Sequence, residues 1–202
     1  MIDTTLNFLT QEINTFLKIK NNTPNEDKIV LSSIASESGL VIPNKSLGLS
    51  LINIEEERVF KEQRAAYLNE NGKTQHYNPE LRLNLYILIT SNFQDKVKED
   101  PTDDYREGLK QLSNVILFFQ SKNVFTNENS PLLASLDPNI QKIIVELYSY
   151  SFEQLYNFWS VVGTKYLPSV LYKVRMLRFQ GGSVDAELPV ASGVDLNNST
   201  VN

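Results

Sequence analysis

Cysteine is absent from this chain of 202 residues, which excludes disulfide staples, thiolate zinc sites and cysteine nucleophiles. Histidine is nearly absent. His76 stands alone in a polar stretch, without the orienting partner a catalytic imidazole needs, and is read as a surface loop residue. There is no glycine-rich phosphate loop and no internal repeat. The N-terminal stretch MIDTTLNFLTQEINTFLKIK lacks a basic start and interrupts its apolar positions with Asp3, Gln11 and Glu12, so it is neither a secretory signal nor a membrane span. The chain is expected to be made as a soluble protein in the cytoplasm. A net charge of −5 removes the broad cationic footprint of a nucleic-acid-binding domain, so neither nucleic acid nor membrane is an expected partner.

What is present is enough for one core. With 41% hydrophobic and 21% charged residues, a chain of this length buries roughly 70% of its unfolded surface as a single compact domain. Ile2, Leu6, Leu9, Ile13, Phe16 and Leu17 recur at helical spacing, with Asp3 as the expected N-cap. KIVLSSI (Lys28 to Ile34) and SLGLSLINIEEER (Ser46 to Arg58) read as strands around a Gly39/Pro43 turn region. The polar stretch Lys61 to Glu80 reads as a long loop excursion. LRLNLYILIT (Leu81 to Thr90) alternates Leu81, Leu83, Leu85, Ile87 and Ile89 against Arg82, Asn84, Tyr86 and Thr90, the pattern of a strand buried on one side. DKVKEDPTDD opens a helix whose core stripe is Tyr105, Leu109, Leu112, Ile116 and Phe119. QKIIVELYS (Gln141 to Ser149) is a strand, Ser151 and Gln154 form a capping box that starts FEQLYNFWSVVG, and Gly163 stops that helix. PSVLYKVRMLRFQ is the last strand. Beyond Phe179 the chain has no lysine, arginine or aromatic residue and is expected to be a flexible acidic tail, which divides the molecule into a folded domain 1–180 and a tail 181–202.

Few residues invite chemistry. Glu55, Glu56 and Glu57 are followed by Arg58, and paired carboxylates serve Mg²⁺ or acid–base catalysis elsewhere. Three adjacent acids on a strand alternate sides, so at most two converge. No histidine or aspartate stands at a recognisable spacing from them, and the cluster reads as solvated or interface charge. No metal or cofactor is expected. Phe118, Phe119, Phe125, Phe158, Trp159 and Tyr166 read as core or subunit contacts. Lys165, Lys173, Arg175 and Arg178 are the only charges between Glu153 and Asp185, whereas Asp185, Glu187 and Asp195 follow without a cation. Such a split suits complementary surfaces between subunits or an acidic partner. On the last strand, Lys173 and Arg175 share a face with Leu171 and Leu177, and Arg178 falls on the other.

The joint order of LGLSLINIEEER, NPELRLNLYILITSNF, YREGLKQLSNVILFFQSKNVFT and LYNFWSVVGTKYLPSVLYKVRML, behind the helix TTLNFLTQEINTFL, resembles one known family. It is the N-terminal domain family found in cap proteins, or tail terminators, of phage-tail-like contractile injection systems, including those of the virulence-cassette type. The resemblance spans roughly Thr4 to Phe179. It implies an α/β (α+β) fold of the phage tail-terminator kind: a single domain with a mixed β-sheet and helices packed on it. It implies a structural protein, not an enzyme, in a short form without the further C-terminal domain of some caps. The implied partners are other copies of the chain in a ring of six, the inner tube protein and the sheath protein, within a particle assembled in the cytoplasm and then released or attached to a membrane. Ring closure needs two different faces of one subunit to meet. Glu55, Glu57, Arg58, Lys173, Arg175 and Arg178 are the candidate interface residues. Two other readings remain open: a small metal-dependent hydrolase using Glu55 and Glu57, and a stand-alone adaptor that binds a peptide strand at an open sheet edge.

Overall fold

A computed structural model describes residues 1–57, 66–68, 74–76, 81–94, 101–178 and 187–188. Its elements, in chain order, are α1 (Ile2–Asn21), β1 (Ile29–Leu31), β2 (Ala35–Ser36), β3 (Gly39–Leu40), β4 (Ser46–Glu56), β5 (Ala66–Leu68), β6 (Thr74–His76), β7 (Leu81–Asn92), α2 (Pro101–Ser121), β8 (Val124–Thr126), α3 (Pro131–Leu136), β9 (Ile140–Tyr148), α4 (Phe152–Val162), β10 (Ser169–Arg178) and β11 (Glu187–Leu188). Six strands form one sheet in the order β1-β4-β7-β10-β9-β8. The β1–β4 pair is parallel and the other pairs are antiparallel. The sheet is therefore mixed, with helices packed on it, as the family resemblance implies.

One face of that sheet carries the main apolar core. Leu47, Leu49, Leu85, Ile87, Ile89, Ile143, Val145, Val174 and Met176 pack there against Leu6, Phe8, Leu9, Ile13 and Leu17 of α1 and Val115, Phe118 and Phe119 of α2. Phe8 meets Phe125 edge-on with ring centroids 5.3 Å apart. The other face is divided. Its first half is covered by Ile34, Ile42, Trp159 and Leu167, which enclose Leu88, and its second half is open. Strand β7 is consequently buried on both sides towards its end, with Leu88 and Thr90 as enclosed as Ile87 and Ile89. The alternation of β7 predicts burial on one side only, because it records the main core and not the second cluster.

A bulge decides which face the acidic cluster takes. Leu51 of β4 pairs with Ile87, and Asn53, not Ile52, pairs with Tyr86. Without that extra residue, Asn53 and Glu55 would share a face with Leu47, Leu49 and Leu51; with it, they turn to the open face beside Tyr86 and Asn84.

Several local expectations are corrected. The N-cap of α1 is Met1, not Asp3; Asp3 sits in the first turn and accepts from the Met1 ammonium at 3.0 Å. The first strand is shorter than Lys28 to Ile34, and β4 ends at Glu56, with Arg58 outside the described residues. Helix α2 begins at Pro101, and residues 95–100 lie outside the described set. Its core face keeps Leu112 and Phe119 of the expected stripe but is turned by about one residue elsewhere: Tyr105, Leu109 and Ile116 are exposed, whereas Asp104, Gln111, Asn114 and Val115 are buried. Gly108 explains the rotation in part, since a Cβ there would lie 2.5 Å from Ser91 Oγ and 3.1 Å from Phe93 Cβ. The bare backbone lets α2 approach the end of β7 closely. Buried Gln111 is satisfied by the Asn21 amide at 2.9 Å and by Glu107.

The expected loop excursion contains β5 and β6, with His76 in strand β6, not in a loop. The expected flexible tail contributes β11, whose Glu187 and Leu188 pair with Gln75 and Thr74 of β6. The last described helix follows its sequence signals closely. Ser151 Oγ accepts from Gln154 N at 3.2 Å, Gln154 Oε1 accepts from Ser151 N at 2.9 Å, and Gly163 ends α4 in the left-handed region at φ 69°.

Candidate interaction surface

The open half of the sheet is built by four strands whose registers place polar side chains side by side. Glu55 of β4 stands opposite Asn84 of β7, Tyr86 opposite Lys173 of β10, and Asn84 opposite Arg175. On the far side of β10, Lys173 pairs with Glu146 and Arg175 with Ile144 of β9. Residues opposed across a ladder share a face. A long antiparallel ladder therefore converts separated sequence segments into one charged surface.

Its side chains are ordered by one another. The Tyr86 hydroxyl donates to Glu55 Oε2 at 2.9 Å, and Asn84 Nδ2 donates to Glu57 Oε2 at 3.1 Å. The Arg175 guanidinium pairs with the Glu146 carboxylate. The Lys173 ammonium lies 6.0 Å from the centre of the Tyr86 ring, and Tyr148 meets that ring edge-on at 5.3 Å. A hollow of about 230 Å³ opens among Glu57, Arg82, Asn84, Lys142, Ile144, Arg175 and Leu177. The cations Arg82, Lys142, Lys173 and Arg175 thus face the acids Glu55, Glu57 and Glu146, a local excess of positive charge on a chain of net charge −5.

Of the residues singled out from the sequence, Glu55, Glu57, Lys173 and Arg175 come together here. Arg58 lies outside the described residues. Arg178 pairs with Leu81 and Ile140, a register position on the opposite face from Arg175. Sequence reasoning missed Tyr86, Asn84 and Glu146 as partners. The polar side of the β7 alternation held the first two, but only the register shows which acid each meets. An open groove of about 720 Å³ is lined mainly by apolar groups including Leu6, Leu31, Ile34, Ile52 and Phe158. Among the described residues no group of three or more histidine, aspartate or glutamate side chains is placed to hold a metal ion, and no helix is long and apolar enough to cross a membrane.

Tyr86 reports on this surface. Burial, the Glu55 hydrogen bond and the neighbouring negative charge push its pKa up to about 12. The folded state holds the phenol neutral, so its contribution to stability is complete below pH 10, the ordinary value, and is lost as pH rises through about 12. In an ultraviolet phenolate titration, Tyr86→Phe should remove one late-titrating tyrosine, and Glu55→Gln should shift that step down. A Tyr86 that ionises near 10 in the wild type would contradict this geometry.

Residues 4–192 match the family described as the Pvc16 N-terminal domain, a span that runs past Phe179, the end of the segments that carry the sequence resemblance. No curated protein matches the chain. Among solved structures, the cryo-EM structure of the PVC sheath/tube terminator of an extracellular contractile injection system, in the extended state, is similar with a TM-score of 0.50 and 14% identity, over 94% of this chain and 63% of that one. The cryo-EM structure of the anti-feeding prophage cap, a tube terminating cap, is similar with a TM-score of 0.51 and 13% identity, over 91% of this chain and 58% of that one. The chain thus spans about three-fifths of the length of either. At these identities the likeness is one of fold, and it fits the mixed sheet with its packed helices. The match over residues 4–192 takes in nearly the whole sequence, and the chain belongs to the Pvc16 N-terminal domain family.

Proposed function

We propose that this chain is a structural terminator of a contractile injection system. Copies form a ring, six in number, on the last layer of the inner tube; the ring contacts the terminal sheath layer, ends polymerisation and stabilises the extended tail. It is assembled in the cytoplasm and becomes part of a particle that is released or attached to a membrane. The family match over residues 4–192 carries this reading, and the shared fold with two terminators supports it. The open polar half of the sheet, with Glu55, Glu57, Lys173 and Arg175, is the contact surface for a neighbouring cap, tube or sheath subunit; Arg178, at a register position on the other face, and Arg58, outside the described residues, remain interface candidates by sequence alone.

The hydrolase reading finds less support. Glu55 and Glu57 are each engaged by a neutral hydrogen-bond donor, Tyr86 and Asn84, on an exposed face shared with four cations. That arrangement suits charge complementarity better than metal ligation. The proposal is tested by light scattering of the purified chain at micromolar concentration, alone and with tube protein. Self-association, or binding to tube ends, is the expected result; a strict monomer that ignores tube ends would sink the proposal.

A further inference from the structure

The outer strands of the six-stranded sheet are β1 and β8, and each would present unpaired backbone groups, the usual template for pairing with another chain. In β1, Lys28 O accepts from Leu47 N at 2.7 Å and Ser32 N donates to Leu49 O at 3.1 Å. Strand alternation therefore turns the backbone of Ile29 outward. A side-chain amide waits there. Asn14 of α1, buried, donates from Nδ2 to Ile29 O at 2.8 Å, while its Oδ1 accepts from Ile29 N at 3.0 Å and Lys28 N at 2.9 Å. Donor and acceptor reach the same residue, as in a hydrogen-bonded pair of antiparallel strands.

At the other edge, Val145 N donates to Asn123 O at 2.8 Å, which turns Val124 and Thr126 outward. Asn129 Nδ2 donates to Val124 O at 3.0 Å, and Asn129 Oδ1 accepts from Thr126 N at 2.9 Å. One amide spans the C=O of one outward residue and the N–H of the next, as a residue of a parallel neighbour does. Thr126 O is taken by Ser130 N at 3.0 Å. An asparagine amide carries the same donor and acceptor as a peptide group. We infer that Asn14 and Asn129 are strand mimics that blunt both edges of the six-stranded sheet, Asn14 by taking the outward N–H and C=O of Ile29 and Asn129 by taking Val124 O and Thr126 N, so that copies of this chain meet through side-chain faces and not by extending that sheet across the interface. The inference rests on hydrogen bonds within one copy and stands whether or not the chain terminates a tube.

The test compares the full chain with Asn14→Ala, Asn129→Ala and the double variant. Losing one net hydrogen bond should speed amide exchange at Ile29 or Thr126, respectively, by roughly tenfold at most. The infrared band of intermolecular sheet should then grow with concentration in the double variant and be absent from the wild type, even where the wild type associates in light scattering. Asn129 is exposed, so Asn129→Ala keeps the fold; if Asn14→Ala fails to fold, pairing through the β8 edge of Asn129→Ala decides alone. Unchanged exchange, or faster exchange without any gain in sheet-mediated association, would overturn the inference.

Discussion

Charge reversal of Lys173 and Arg175 to glutamate is expected to abolish capping while the chain stays folded. The fold should survive because the Arg175–Glu146 pair is about half exposed on both sides, and exposed ion pairs contribute under about 1 kcal/mol. Lys173 likewise gives up only a distant contact with the Tyr86 ring. The interface should fail because charge pairs buried by a partner, and left half unpaired, cost about 2 to 5 kcal/mol each. Circular dichroism checks the first claim, and tube-end binding at low and high salt checks the second. Wild-type capping should also weaken with added salt. A charge swap, Arg175→Glu with Glu146→Arg, restores the pair within the chain but moves the cation to β9. If the swap caps as the wild type does, an internal pair was all that mattered; if it does not, the position of the cation matters to the partner. Normal capping by Lys173→Glu/Arg175→Glu at every salt concentration would reduce the strip to solvated surface.

Phe8→Ala is the substitution with the largest expected effect on stability. Phe8 is fully buried on the core face of α1, and Phe125, its edge-on partner, ties β8 to the same cluster. Truncation removes the transferred area and leaves a cavity, which together cost about 3 to 5 kcal/mol. In a chain of this size that lowers the melting temperature by on the order of 10 °C. Thermal unfolding measures it directly; a shift of a degree or two would mean that α1 does not anchor the sheet.

The elements legible in the sequence are those specified by local chemistry or by long periodicity. Ser151, Gln154 and Gly163 define α4 because a capping box and a left-handed glycine act within a few residues. The alternations in β7, β9 and β10 run long enough to declare the strands. The inner face of α2 was legible only in Leu112 and Phe119, because its other buried positions include Asp104, Gln111 and Asn114, polar residues whose burial depends on the close approach of the helix at Gly108 and, for Gln111, on Asn21 of α1. Strand β8 and helix α3, three and six residues long, are too short for a period to register. The candidate surface was legible only as a set of charges. That Glu55 turns away from the core follows from a bulge opposite β7, and that Arg175 meets Glu146 follows from a register between residues 29 positions apart; neither has a local signal. The same holds for Asn14 and Asn129, ordinary polar residues until the sheet edges are drawn.

Ending a polymer is the role proposed for this chain. Micrographs of particles made with and without it test that most directly, through the distribution of tail lengths and the fraction of sheaths still extended. A narrow length distribution and extended sheaths are expected when the chain is present, and tails of uncontrolled length or prematurely contracted sheaths when it is deleted. Length and extended fraction unchanged by the deletion would contradict it.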